Sequence, residues 1–459
     1  VNRSIKYMST PAKNKMDMTH GTLWNKILIF ALPLAASSIL QQLFNSVDTA
    51  VVGRFASSQA LAAVGSNGSL ISLLINLFIG ISLGSNVVIA HYIGQGAQKN
   101  IQAAIHTAIV VALVSGFFVM ILGQFIARPV LLLMGTPEDV IDLAVLYLRI
   151  YLLGMPFIML YDFGSSILRS TGDSKRPLYS LIVAGVINTL LNLVLVIGFK
   201  LSVSGVAIAT VISNVVSSGI VIYFLTQESE PIRLDLKKLA VSTTELKKIL
   251  KIGVPAGLQG MMFSIANVCI QSTINSFGSD AIAGSAAALN YEFFSYFMVN
   301  AFAQTTVTFT SQNYGAGEYG RCKKIFRIVM MFSLISCGLL SAVFVIGRGF
   351  FLGIYSTDAN VLVYAKQRIC IATTLELLTS IYEISAGAMR GLGHSMTPAV
   401  ITFMGSCVLR LIWISTACKM VHEFWVLMII YPISWIITGI AMMIAYGMLK
   451  HRIFKKAQV

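Results

Sequence analysis

Residues Ile39 to Arg54 read ILQQLFNSVDTAVVGR, and they close an apolar segment running from Trp24 to Val52. A helix crosses the hydrocarbon of a bilayer in about 20 residues, so this segment is long enough to span one. It contains a single carboxylate, Asp48, with no lysine or arginine close by before Arg54. An unpaired charge in hydrocarbon costs on the order of 3 kcal/mol by insertion scales. A chain keeps such a group where it faces a polar cavity, pairs with a cation or takes up a proton. Two explanations stand: an aspartate drawn to the interface at the end of its span, and a cation or proton site. An aspartate side chain is too short to reach far toward water, which favours the second.

The rest of the chain extends this pattern. Of 459 residues, 56% are hydrophobic and only 11% charged, whereas a soluble domain carries about 25% charged residues. The composition is that of an all-α polytopic membrane protein. Twelve apolar spans are expected, near residues 24–52, 61–90, 101–126, 139–168, 178–199, 203–226, 246–276, 281–311, 324–346, 359–389, 397–418 and 424–449. The net charge of +15 would suggest nucleic acid in a soluble protein. Here the basic residues sit at span ends: with the N-terminus inside, 23 lie in inner segments and five in outer ones. That asymmetry places both termini in the cytoplasm. The first apolar run is too long for a signal-peptide core, so no cleavable signal is expected; Val1 reads as a literally translated alternative start codon. The six cysteines form no CxxC and fall mostly in spans, as small buried hydrophobes do.

The chain repeats itself. Pro33, Asn45 and Phe55 recur 222 residues later as Pro255, Asn267 and Phe277. Gly94, Gly96, Tyr161, Gly172, Ser174 and Pro177 recur at an offset of 221 as Gly315, Gly317, Tyr382, Gly393, Ser395 and Pro398. Each half holds six spans, an even number, so both halves share one orientation. The pseudo-two-fold axis then runs along the membrane normal, and two like bundles facing each other enclose a central cleft. The expected organisation is an N-terminal cytoplasmic segment (1–23), a six-helix N-lobe (24–226), a cytoplasmic linker (227–245), a six-helix C-lobe (246–449) and a basic cytoplasmic tail (450–459). In the join, Leu234, Lys238, Val241, Leu246 and Ile249 suggest short amphipathic helices on the inner surface.

Besides Asp139 and Asp142 at the edge of the fourth span, five acids fall inside spans: Asp48, Asp162, Glu292, Glu376 and Glu383. Lys366, Arg368 and Arg410 are basic residues available to pair with some of them. Asp162 and Glu383 are equivalent in the repeat, and their helices end at Arg169 and Arg390; structural contacts at the inner mouth and substrate binding both remain open for them. Glu376 lies seven residues before Glu383, near the same helix face. Glu292 sits among Tyr291, Phe293, Phe294, Tyr296 and Phe297. An acid amid rings suits a lipophilic organic cation, which gains a counter-charge and cation–π faces; plain aromatic packing accounts for the pattern equally well. Asn188 and Asn192, spaced i, i+4, share one helix face, and Thr210 follows in the next span. Amide and hydroxyl oxygens beside a carboxylate suit a desolvated Na⁺ or a protonatable aspartate; intramembrane asparagines also serve as helix–helix hydrogen bonds.

Gly80-Ile81-Ser82-Leu83-Gly84 fits a hydrolase nucleophile elbow, but it lies mid-span rather than at a strand-to-helix turn. Gly80/Gly84 read better as a close helix contact, as do Gly253/Gly257 and Gly387/Gly391. No Walker A, HExxH or Cys/His ligand set is present in the sequence, so neither a resident ATP site nor an enzyme is expected.

Several features together resemble the multidrug and toxic compound extrusion (MATE) family, bacterial type, from about Leu23 to Lys450. They are Pro33 followed by VDTAVVGR (Val47–Arg54), IGQGA (Ile93–Ala97) with YGAGE (Tyr314–Glu318), ILRSTGDSKRP (Ile167–Pro177) with AMRGLGHSMTP (Ala388–Pro398), and Asn188-x-x-x-Asn192 with Thr210. The resemblance implies twelve helices in two lobes in the bacterial inner membrane, and export of organic cations against H⁺ or Na⁺ entry, with no other cofactor. It implies coupling at Asp48, with Asn188, Asn192 and Thr210 as polar partners and sites for Na⁺, Gln41 lining that pocket, and Pro33 as a hinge. Where some members carry acids in the seventh and tenth helices, this chain has Phe263, Ser264, Asn267 and Thr379, so coupling is expected in the N-lobe. Glu292, Glu376, Glu383, Tyr291 and Phe293 are the candidate substrate residues. Small lipophilic cations and membrane lipids are the expected partners, nucleic acid is not, and a monomer is expected. The rivals are a flippase for a lipid-linked sugar or other amphiphile, which would favour a basic cavity, and a non-transporting scaffold.

Overall fold

A computed structural model describes residues 16–456; Val1, Arg3, Lys6, Lys13 and Lys15, used above for the N-terminus, lie outside that range. Among the described residues there is no β-strand. The N-lobe opens with three long helices, α1 (Leu23–Phe55), α2 (Ser58–Gln95) and α3 (Gln98–Leu133). Its fourth span is a pair, α4 (Glu138–Leu153) and α5 (Met155–Ser170), bent by 47°. Gly154 and Pro156 supply the physical reason, because proline cannot donate a helical hydrogen bond and its ring crowds the preceding turn. The fifth span, α6 (Lys175–Asn192), runs into a π-helical turn at Leu193–Gly198, and α7 (Ser202–Thr226) ends the lobe.

The C-lobe begins with α8 (Thr243–Asn275), α9 (Ser279–Gly315) and α10 (Tyr319–Ile346), followed by the short α11 (Arg348–Gly353). The expected single tenth helix is instead broken. It consists of α12 (Ala359–Arg368), a π turn at Ile369–Thr373, a 3₁₀ turn at Glu376–Leu378, and α13 (Thr379–Gly391). The eleventh span is likewise segmented into α14 (Met396–Thr402), a π stretch at Phe403–Val408, α15 (Leu409–Ser415) and α16 (Ala417–Met420). The last contains α17 (Phe424–Met428) and α18 (Ile430–Lys456).

Ten helical spans, and an eleventh when α4 and α5 count as one, are long and apolar enough to cross a membrane. The remaining one, α9, has 37 residues but is more polar than its neighbours. Its run Thr305, Thr306, Thr308, Thr310, Ser311, Gln312 and Asn313 is buried, because α9 packs against α1, α2, α10, α12 and α13. Other helices shield it, and its polar groups form the seam between lobes. Ser311 donates to the Val87 carbonyl (2.6 Å), Thr308 to Asn86 Oδ1 (3.0 Å) and Gln312 to the Ser170 carbonyl (2.5 Å).

Glycines bring the lobes together. A Cβ on Gly80 would lie 2.1 Å from the Gly257 nitrogen, and one on Gly84 2.3 Å from the Ile249 carbonyl oxygen. The repeat-related Gly94 and Gly315 meet across the seam, each aimed at the other helix's backbone at 2.0 and 2.1 Å. Gly387 and Gly391 make the same kind of approach to α9 inside the C-lobe, each 2.8 Å from a carbonyl oxygen. Side chains do not fit such gaps, so Gly80→Leu is expected to hold the seam apart with each lobe still folded. In a background lacking the native cysteines, Ile81→Cys should react with a water-soluble maleimide only when Gly80→Leu is also present. Equal protection in both would show that the seam tolerates the side chain.

The join between lobes forms no amphipathic helix pair. It is extended, with one 3₁₀ turn at Leu236–Lys238, while Leu246 and Ile249 already belong to α8. Ile232 and Leu234 are buried, and the backbone nitrogens of Asp235 and Ser242 donate to His106 and Thr107 of α3. The strand of chain is therefore strapped onto the N-lobe through α3. All six cysteines are unpaired.

Candidate functional site

Asp48 lies on α1 where that helix meets α6 and α7, and it is 9% exposed. Asn192 donates from Nδ2 to Asp48 Oδ1 and also to Asn188 Oδ1 (3.2 Å). The i, i+4 spacing on α6 sets both amides on one helix face, with Asn192 the one that touches the carboxylate. Thr210 Oγ1 on α7 lies 3.4 Å from Asp48 Oδ2 and 3.0 Å from the Val206 carbonyl. A hydroxyl has one proton, so Thr210 serves one of these acceptors at a time. Asn188 Nδ2 closes the ring at 3.5 Å from Thr210 Oγ1. No lysine, arginine or histidine joins the cluster in an ion pair among the described residues.

Every group around Asp48 thus offers oxygen. The buried Asn192 Oδ1 has no hydrogen-bond partner, although buried amide oxygens are nearly always satisfied. A carboxylate, two amide oxygens and a hydroxyl are hard ligands of the kind that suits an alkali cation. The π turn that starts one residue after Asn192 shifts the helix register beside the cluster, as such turns often do at functional positions.

A close approach of α1 to α6 sets this geometry. A Cβ on Gly185 would fall 1.8 Å from Phe44 Cε2. Gly185 stands three residues before Asn188, and Phe44 four before Asp48. Gly185→Ala should therefore push α1 from α6 and destabilise the protein by about 1–3 kcal/mol, the usual cost of overpacking. Thermal unfolding would show this, with Phe44→Leu restoring much of the loss in the double variant. Additive effects of the two changes would count against the contact.

Gln41 is not part of the Asp48 cluster. It lines a separate cavity of about 210 Å³ between the lobes, with Ser38, Gln42 and Asn45 of α1 facing Tyr296, Phe297 and Asn300 of α9. This polar face was missed in the sequence, although Gln41, Gln42 and Asn45 on one helix, and Asn300 and Gln304 at i, i+4 on another, were a usable signal. Asn300 accepts from Gln304 (2.6 Å), which in turn accepts from Arg169 of the N-lobe (3.1 Å). The polar line therefore runs from the cavity to the closed end. Pro33 lies within α1, which continues helical through it.

The C-lobe candidates are placed differently from the sequence expectation. Glu292 is not an open counter-charge for a ligand: it is buried, and Arg368 grips it with two bonds of 2.8 and 2.9 Å. Tyr291 is core, its hydroxyl donating to the Phe351 carbonyl (2.7 Å). Phe293 is half-buried and stacks on Phe297, whose ring does line the cavity. Glu376 is buried beside the Arg368–Glu292 pair with its Oε2 unpartnered. Glu383 is half-buried on α13 and has Arg390 as its charged neighbour, as Asp162 has Arg169. Glu292 and Glu376 thus share Arg368, whereas Asp162 and Glu383 each stand by a different arginine, so the acids do not converge on one site.

Comparison with known proteins agrees with this architecture. The MatE family model matches residues 33–194 and again 255–414. The probable multidrug resistance protein YoeA of Bacillus subtilis is 30% identical over 388 residues, which cover 83% of this chain and 84% of that protein. The FAD transporter of Shewanella oneidensis is 24% identical, covering 94% and 95%. Among solved structures, a MATE protein in its bent conformation superposes with a TM-score of 0.89 at 19% identity, covering 96% of this chain and 98% of that one. With two copies of the family pattern, one per lobe, and the matching two-lobe, twelve-span fold, the chain belongs to the MatE family of multi-pass membrane transporters and is not an enzyme.

Proposed function

We propose that the chain is a secondary active exporter that exchanges lipophilic organic cations for H⁺ or Na⁺ by alternating access. The observation that carries this is the Asp48 cluster: a buried carboxylate ringed only by amide and hydroxyl groups, with one amide oxygen left without a donor. When Asp48 takes up a proton, the Asn192 amide can turn to present its oxygen to the new O–H. When Na⁺ enters instead, the oxygens of Asp48, Asn188, Asn192 and Thr210 surround it. Either event removes the buried charge and changes what holds α1 against α6 and α7. Because α1 also forms one wall of the inter-lobe cavity, that change reaches the cargo. Coupling requires that cargo and ion favour different states, since a ligand with equal affinity for both shifts neither.

The lobes are joined by the tight glycine seam toward the end that carries the inter-lobe segment. The charge bias of the loops supports a cytoplasmic position for that end. The cavity between α1 and α9 then faces the outer half. Its lining of amides, a phenol and a phenyl ring supports cargo that is amphiphilic and aromatic, and the Bacillus relative is named for multidrug resistance. The same uncharged lining also admits a second reading, a larger amphiphile of the flavin-nucleotide class that the Shewanella relative is named for.

The deciding experiment is ethidium efflux from proteoliposomes driven in turn by an imposed pH gradient and an imposed Na⁺ gradient. Efflux under one gradient names the coupling ion. Inactivity under both, in protein that is folded and correctly inserted, would sink the cation antiport reading and make flavin nucleotide the next cargo to test.

A further inference from the structure

A second cavity lies wholly within the C-lobe, at the end remote from the inter-lobe segment. It is larger than the inter-lobe cavity, about 390 Å³, is open on one side, and is bordered by the start of α9, by α12 and by the turn that precedes α17. That volume is within the range of small-molecule sites, roughly 300–1,000 Å³. Aromatic rings form its walls. Phe277 stacks on His422 at 4.3 Å with an interplanar angle of 4°, and Phe424 meets Phe277 edge-on at 5.7 Å. Tyr364 meets Phe424 edge-on at 5.1 Å.

Two carboxylates, Asp280 and Glu423, share this lining, and no lysine or arginine does. Neither carboxylate has an ion pair or side-chain hydrogen bond among the described residues. Gln367 joins them in the lining. Ring faces attract a cation through their quadrupoles, and two carboxylates supply its counter-charge and accept its N–H groups. His422 and the amides of Asn360 and Gln367 are the donors in the lining, and beside two carboxylates they leave the pocket unfavourable to an anion. This is the acid-among-rings arrangement that the sequence suggested around Glu292, built instead from three separate elements.

We infer that this pocket is a second binding site, for a planar organic cation bearing N–H groups, distinct from the inter-lobe cavity. The inference is independent of coupling at Asp48, since binding here involves no residue of the N-lobe.

Equilibrium dialysis with ethidium, which is planar, cationic and carries two amino groups, tests it on the purified full-length protein without any gradient. The double variant Asp280→Asn with Glu423→Gln should bind one equivalent fewer per chain, or bind that equivalent at least about tenfold more weakly, as loss of about 1.4 kcal/mol implies. Asp48→Asn should keep that equivalent. Gel filtration establishes that the double variant is folded. Unchanged stoichiometry and affinity in the double variant would overturn the site. So would equal competition by uncharged phenanthridine at pH 8, because the pocket would then be selecting rings without regard to charge.

Discussion

Asp48→Asn is expected to lower gradient-driven ethidium efflux by about 100-fold, near the upper end of typical coupling free energies, while the protein remains folded. The two side chains have nearly the same shape. The new amide oxygen can accept from Asn192 or Thr210, and the new NH₂ has a ready acceptor in Asn192 Oδ1, which lacks a donor in the wild-type arrangement. The hydrogen-bonded ring around α1, α6 and α7 therefore survives, and thermal unfolding should change little. What the substitution removes is the ability to alternate between a charged and a neutral form. The protein then has no differential affinity for the driving ion at this position, and the gradient has nothing to act on. Downhill exchange of ethidium, which needs only the cleft, should persist at a measurable rate. Wild-type driven efflux in the variant would move the coupling site elsewhere. Glu376, buried in the C-lobe with one oxygen unpartnered, would be examined next.

The N-lobe cluster was legible in the sequence because its signals are local. One carboxylate in an apolar span and two asparagines four apart each announce a polar helix face, and a short chain of elements brings the faces together. The glycine pairs were legible for a similar reason: small residues at i, i+4 leave a groove whatever fills it. The broken tenth span carries no such marker. Residues 359–386 contain neither proline nor glycine, so no local breaker announces the π and 3₁₀ turns there. Arg368, the last residue of α12, reaches across to Glu292 and Ser285 on α9. The sequence offered Arg368 as an available partner but could not choose it over Lys366 or Arg410. Glu292 was misplaced for the same reason. Its aromatic neighbours at i±1 and i+4 point around the helix rather than toward one ligand. The bend at Gly154 and Pro156, in contrast, was marked in the sequence and passed over because apolar residues run on both sides of it.

The Arg368–Glu292 pair yields the largest expected change in stability. Arg368 is 2% exposed, donates from two nitrogens to the Glu292 carboxylate and from a third to Ser285 Oγ (2.6 Å), and lies over the Tyr431 ring at 5.4 Å. Its fork saturates one carboxylate, and its positive charge also faces Glu376. Arg368→Leu would strand Glu292 in a water-poor interior and leave two neighbouring acids with no guanidinium between them. Removing one member of a buried pair destabilises by about 3–5 kcal/mol, most of it the uncompensated charge of the survivor. Such a loss should appear as a lower unfolding temperature and a poor yield from the membrane. Replacing both members, Arg368→Leu with Glu292→Leu, removes the stranded charge along with the bond, so the double variant should be more stable than Arg368→Leu alone. That order of stabilities separates charge balance from packing. If the double variant is instead the weaker of the two, the guanidinium acts mainly as a spacer between α9 and the broken tenth span. Transport in the double variant then distinguishes a scaffold from a working part. If Glu292 and Arg368 only hold α12 against α9, efflux should follow the recovered stability. If their charges move during the cycle, stability should return without efflux.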